Sequence, residues 1–348
     1  MYEYELTNAC LKLLRDMFRV QEGESVVITC DTESNDDVVT ATAQAAFILG
    51  AKPMVVKIAA PRGVGKAADV DFPTDPLTAA LCAADVWVEY NNEWIFYSTV
   101  YDNVVANNKK IRYMNLVGAN PDLIMRNIGR VDTPLLTDFI FKAEAVTKQA
   151  KHIRVTTPAG TDVEFDNMPG REFYTADGIV RKGEIKMLPG QIAWAPEFKS
   201  INGTIVIDGT LTPPCGRVDG PVKLTVKEGK VTKVEGGSSA KEFESWLGSF
   251  NDENMYTTAH ISYGFGPGAK LSGDIVEDER VWGCTEWGFG NVGGVLTSDI
   301  PGGIPAASHS DGICLDSTVY LDGKLFLDKG KVVGPTEEVV QAARKLGK

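Results

Sequence analysis

Histidine is nearly absent from this chain. There are three in 348 residues, His152, His260 and His309. Any site that needs imidazole must draw on these three alone. Clustered Lys and Arg are also missing, and the formal net charge is −12. That leaves no footprint for a phosphate backbone and disfavours an anionic membrane, so neither nucleic acid nor membrane is an expected partner. No run of 18 apolar residues occurs, so no spanning helix is expected. The first ten residues carry Glu3 and Glu5 and lack the basic start and apolar core of a signal peptide. The six cysteines (Cys10, Cys30, Cys82, Cys215, Cys284 and Cys314) are far apart, with no Cys-x-x-Cys. They read as reduced, mostly buried thiols of a cytoplasmic protein, and not as a disulfide framework or zinc knuckle. No Gly-x-Gly-x-x-Gly follows the first apolar strand. Gly63-Val-Gly-Lys66 is followed by Ala67, outside the phosphate-loop frame, so no nucleotide site is expected.

What is present is ordinary for a soluble enzyme: 43% hydrophobic and 24% charged residues. At roughly 150 residues per domain the length suggests two domains. Short β-branched runs at 25–30, 52–58, 85–90 and 112–116 alternate with helical patterns at 6–20, 38–49 and 77–84. Strands alternating with helices imply βαβ units and a parallel sheet, so residues 1–148 are read as an α/β scaffold domain. From 149 to 348 the texture is hairpins and short strands, with one helix at 240–247 and a terminal helix capped by Thr336. This half is read as a β-rich α+β domain carrying a metal site.

The metal site begins with His309-Ser310-Asp311. On an extended strand, residues i and i+2 point to the same face, so the imidazole and the carboxylate reach one point while Ser310 turns away. Such a pair also occurs by chance on surface turns. A third, histidine ligand leaves His152 and His260. His152 starts a strand beside Lys151 and Arg154 and reads as solvated surface, which favours His260. Two histidines and one carboxylate on one face form the facial triad of non-haem Fe(II) oxygenases. Glycine-rich loops at 263–268, 283–290 and 300–305 surround these positions, dense enough to pack backbone tightly or to wrap a small ligand.

Several of these stretches share one resemblance. His260-Ile-Ser-Tyr-Gly, then Gly290-Asn, then His309-Ser-Asp and Asp328-Lys-Gly-Lys resemble the C-terminal domain of the thermophilic-type metallo-aminopeptidases. They also resemble that domain in the peptidases' non-peptidase relatives, the 2,5-dihydroxypyridine 5,6-dioxygenases. Ala159-Gly-Thr-Asp-Val163, Leu188-Pro-Gly-Gln-Ile-Ala-Trp-Ala-Pro196 and Asn202-Gly-Thr extend the likeness over about 150–335. By this resemblance the peptidases hold two metals with two further glutamates. Here Gln191 and Ser249 stand at those places, neutral groups that screen two adjacent dications poorly. Asp252, Glu253 or Glu286 remain as replacements from shifted positions. The dioxygenase branch implies one Fe(II) on His260, His309 and Asp311, and homodimers with sites facing a shared cavity. The expected function is therefore ring cleavage of a small hydroxylated N-heterocycle. Gln191, Trp194, Tyr263 and Trp287 are read as substrate contacts and Glu286 as acid/base. The alternative is an aminopeptidase or amide or ring hydrolase using Zn, Mn or Co, and a binding protein with a decayed site ranks last.

Overall fold

The computed structural model describes residues 3–294 and 296–348. The chain divides into two compact units, each built from two stretches of sequence. The first comprises Met1–Thr133 with Gly178–Pro189, the second Pro134–Asp177 with Gly190–Lys348.

The first unit holds a five-stranded parallel sheet in the order Lys52–Ile58, Ser25–Asp31, Val86–Glu89, Arg112–Asn115, Ile185–Met187. The central strands are buried along nearly their whole length, as parallel strands covered on both faces must be. The Asp36–Ile48 helix starts at Asn35, whose side-chain oxygen accepts from the N–H groups of Asp37 and Val38. Lys66, in the glycine stretch read as no phosphate loop, is exposed and paired with Asp102 at 2.5 Å. The alternating strands and helices are therefore as the sequence pattern predicts. The fifth strand, only three residues long, is not visible in that pattern.

The single boundary at 148/149 gives way to the discontinuous division. The Thr133–Gln149 helix carries Phe139, whose ring packs on Phe265 at 5.0 Å and on Trp282 at 5.1 Å. Residues from Pro134 onward therefore belong to the second core, and 178–189 return to supply the parallel sheet's last strand. Periodicity identifies an element but does not say which core it joins.

The second unit contains two antiparallel sheets. One has eight strands, from Lys230–Gly236 at one edge through Asp162–Asp166 and His152–Thr156 to Lys331–Val332. The other has seven, in the order Gly216–Arg217, Thr210–Thr212, Ile304–Cys314, Thr285–Val292, Thr258–Gly264, Gln191–Trp194, Tyr174–Ala176. Large buried rings join the sheets. Phe165 meets Trp194 at 6.4 Å and Trp287 at 5.7 Å, and Tyr263 meets Phe326 at 5.6 Å. One face of the seven-stranded sheet is thus committed to core, and its other face is left for chemistry. His152 is exposed at a strand end beside Asp166, as read from the sequence.

The terminal helix, Glu337–Lys345, begins as expected, with the Thr336 hydroxyl accepting from the Val339 N–H. Losing that cap in Thr336→Ala is expected to lower unfolding free energy by about 1 kcal/mol. Urea denaturation measures this, and an unchanged midpoint would show that the cap contributes nothing.

Candidate metal centre

Four neighbouring strands of the seven-stranded sheet build the site. Ile304–Cys314 pairs with Thr285–Val292, which pairs with Thr258–Gly264, which pairs with Gln191–Trp194. Residues directly opposed across such a ladder share a face. The register opposes Gly264 to Gln191, Ser262 to Glu286, His260 to Gly288, Gly288 to Asp311 and Gly290 to His309. Period two then puts Gln191, His260, Ser262, Glu286, His309 and Asp311 on one face. A one-residue irregularity interrupts the ladder between Thr258 and His260, the kind of break that re-aims a side chain beside a site.

Three ligand-type atoms converge there. One ring nitrogen each from His260 and His309 and one carboxylate oxygen of Asp311 lie within 4.8 Å of one another. His309 Nε2 is 2.9 Å and His260 Nε2 3.7 Å from Asp311 Oδ1. The two imidazoles are nearly parallel, 5° apart in plane, with centroids 5.2 Å apart. They stand over Gly288, where a Cβ would lie 2.3 Å from His260 Nδ1 and 3.0 Å from His309 Cε1. Space for the rings, and not a glycine backbone conformation, is what this position requires. His309 Nδ1 lies 2.8 Å from the Asn291 carbonyl oxygen. A carbonyl can only accept, so Nδ1 carries the hydrogen and the neutral ring keeps its lone pair on Nε2, facing Asp311.

Burial and charge set the electrostatics. Burial opposes the Asp311 carboxylate, yet His309 beside it holds it down at about 2. Burial likewise opposes charge on His309, and Asp311 nevertheless raises it. Glu286 is fully buried and is pushed well above the usual carboxylate range, by burial first and by Asp311 second. Its carboxylate reaches His260 Nε2 at 3.1 Å. Two imidazoles, one carboxylate and a glycine cradle fit one divalent cation of the Fe(II), Mn(II) or Zn(II) kind.

The other sequence-predicted positions divide by strand parity. Gln191 is on the metal face, but its amide is already engaged, donating to Glu279 at 2.8 Å and to Ser262 at 3.2 Å and accepting from Arg280 at 2.8 Å. Trp194, Tyr263 and Trp287 do not form an aromatic wall to this site. Each is fully buried on the opposite face, one residue out of phase with the metal face, in the core between the sheets. Trp194 donates its indole N–H to Asn167 at 2.8 Å and stacks on Phe173. Ser249 ends the Ser238–Ser249 helix, bonded to the Trp246 carbonyl, and is exposed. Asp252 caps a short turn, and Glu253 is exposed. Among the described residues, no other group of three metal-type ligands comes together.

Three residues of this neighbourhood escape a reading of the sequence: Ser262, Glu279 and Arg280. Ser262 has a signal, since it lies two residues from His260 on the same strand. Glu279 and Arg280 sit in the acidic stretch 274–280, which looks like an ordinary solvated loop. In the structure Arg280 is fully buried, and burial pushes the Glu279 carboxyl up to about 8 despite Arg280 beside it.

Comparison with known proteins bears on the family and the fold. The family model described as NicX, 2,5-dihydroxypyridine 5,6-dioxygenase, matches residues 5–334. A 2,5-dihydroxypyridine 5,6-dioxygenase of Pseudomonas putida is 24% identical over 348 residues, covering 92% of this chain and 93% of that protein. The solved structure of 2,5-dihydroxypyridine dioxygenase from Pseudomonas putida KT2440 superimposes with a TM-score of 0.79 at 22% identity, covering 97% and 99% of the two chains. Wild-type AmpT from Thermus thermophilus superimposes with a TM-score of 0.68 at 14% identity, over 96% and 100%.

Proposed function

The chain belongs to the 2,5-dihydroxypyridine 5,6-dioxygenase family, and on that premise we propose that it opens a small hydroxylated N-heterocycle at a single non-haem Fe(II) ion. The protein is an enzyme of the dioxygenase class, acting on a small molecule. The observation that carries the finer reading is the convergence of His260, His309 and Asp311 with no second cluster among the described residues. Gln191, whose place a glutamate takes in the resembling peptidases, holds a neutral amide engaged elsewhere, and Ser249 is exposed at a helix end, bonded to the Trp246 carbonyl. The hydrolase alternative is therefore not favoured.

In this reading His260, His309 and Asp311 would hold the ion. Bound there, Fe(II) supplies the redox chemistry that lets O₂ react with an electron-rich ring. Asp311 contributes the single negative charge of the ligand set, and the Asn291 carbonyl fixes the His309 tautomer. Glu286, buried 3.1 Å from His260 Nε2, is the acid/base group for the proton of a ring hydroxyl. The same proposal includes a homodimer, as the family resemblance implies, and a cytoplasmic setting, consistent with six unpaired cysteines. Among the described residues, no helix is long and apolar enough to cross a membrane.

The test is elemental analysis of anaerobically purified protein, followed by oxygen uptake with 2,5-dihydroxypyridine. One iron per chain and oxygen consumption are expected. Chelation should abolish uptake, and Fe(II) should restore it. Two Zn, Mn or Co ions per chain, with no uptake on any hydroxylated N-heterocycle, would sink the proposal.

A further inference from the structure

A fully buried arginine needs a reason, because its charge cannot be given up and its desolvation is costly. Arg280 spends its donors inside the second unit. Nη1 donates to the Val276 carbonyl at 2.9 Å and to the Glu279 carboxylate, and Nη2 donates to Gln191 Oε1 at 2.8 Å. A guanidinium only donates, so the Gln191 amide has one possible orientation: oxygen to Arg280, nitrogen away. That nitrogen then donates to Glu279 at 2.8 Å and to the Ser262 hydroxyl at 3.2 Å. With its oxygen accepting from Gln191, Ser262 must send its own hydrogen onward. Glu286, a carboxyl group on the same face, stands directly across the ladder from it. The last member, Glu286, faces His260 Nε2.

We propose that Arg280 is a positioning residue for the metal centre. It acts through Gln191 and Ser262 to fix the direction of a hydrogen-bond chain that ends on Glu286 and holds that carboxylate against His260. The guanidinium touches none of the three ligands. Its effect reaches them because the bonds from Arg280 through Gln191 to Ser262 each have only one permitted polarity. Gln191, on this account, is a link in the chain and not a substrate contact. The inference rests on the reading of His260, His309 and Asp311 as one metal centre.

The experiment is a titration of metal-free protein with Co(II), followed by its visible absorption bands, which report ligand geometry without any turnover. Wild type, Arg280→Met, Arg280→Lys and Ser262→Ala are compared after thermal melts establish that each is folded. Arg280→Met is expected to weaken Co(II) binding by about 10-fold to 100-fold, the usual cost of losing an outer partner of a metal ligand, and to shift the bands. Arg280→Lys, which keeps a charged donor but not the fork, is expected to recover part of both. Ser262→Ala breaks the same chain without burying a charge and should reproduce the band shift. It decides the matter if Arg280→Met does not fold. Affinity within twofold of wild type and unchanged bands in Arg280→Met, or in Ser262→Ala where Arg280→Met is unfolded, would overturn the proposal. A wild type that binds no Co(II) would instead overturn the metal centre itself, which is a distinguishable result.

Discussion

Gly288→Ala is expected to empty the metal centre while leaving the protein folded. The added methyl would sit 2.3 Å from His260 Nδ1 and Cε1 and 3.0 Å from His309 Cε1, far inside contact distance. The groups that must give way are two side-chain rings, not backbone. The strand register therefore survives, and the imidazoles turn aside. A ligand displaced by an ångström or more no longer converges with its partners, and direct ligands matter more than the outer partners whose loss costs about 10-fold to 100-fold. We therefore expect at least about a 100-fold loss of metal affinity, read as iron per chain after dialysis, with a melting temperature of the metal-free protein close to that of metal-free wild type. A Gly288→Ala protein that keeps a full equivalent of iron would show that the rings do not occupy this cradle.

Asp311→Asn is the second large effect. The amide keeps the shape of the side chain and removes its charge, so packing on the Ile304–Cys314 strand is preserved. What disappears is the only carboxylate in the ligand group, the atom on which both imidazoles converge at 2.9 and 3.7 Å. A hard, oxygen-binding dication loses its only anionic anchor of that group. Iron content and oxygen uptake are both expected to fall by at least about 100-fold, more than an outer-partner change produces. Because Glu286 stands on the same face beside His260, adding Glu286→Gln to Asp311→Asn should lower iron content by no more than the about 10-fold to 100-fold of an outer partner. A larger further loss in the double variant would mean that Glu286 is itself a ligand and that the three-residue assignment is incomplete.

Much of this protein was determined by local sequence. The period-two placement of His309 and Asp311 follows from strand geometry and needs no tertiary information. So do the alternating elements of the parallel sheet and the Thr336 cap, because each depends on residues a few positions apart. The facial grouping with His260 was legible only through elimination among three histidines and through a family resemblance, since no local rule joins residues 49 apart. Tertiary structure decided the rest. Strand register, which side-chain composition does not display, turned Trp194, Tyr263 and Trp287 into core and left Gln191 facing the site. Long-range packing placed residues 134–149 in the second unit and returned residues 178–189 to the first. Burial of Arg280 was invisible because an acidic loop and a buried ion network are spelled with the same letters. What distinguishes them is whether the partners at 191 and 262 are brought within hydrogen-bond reach, and only the assembled sheet does that.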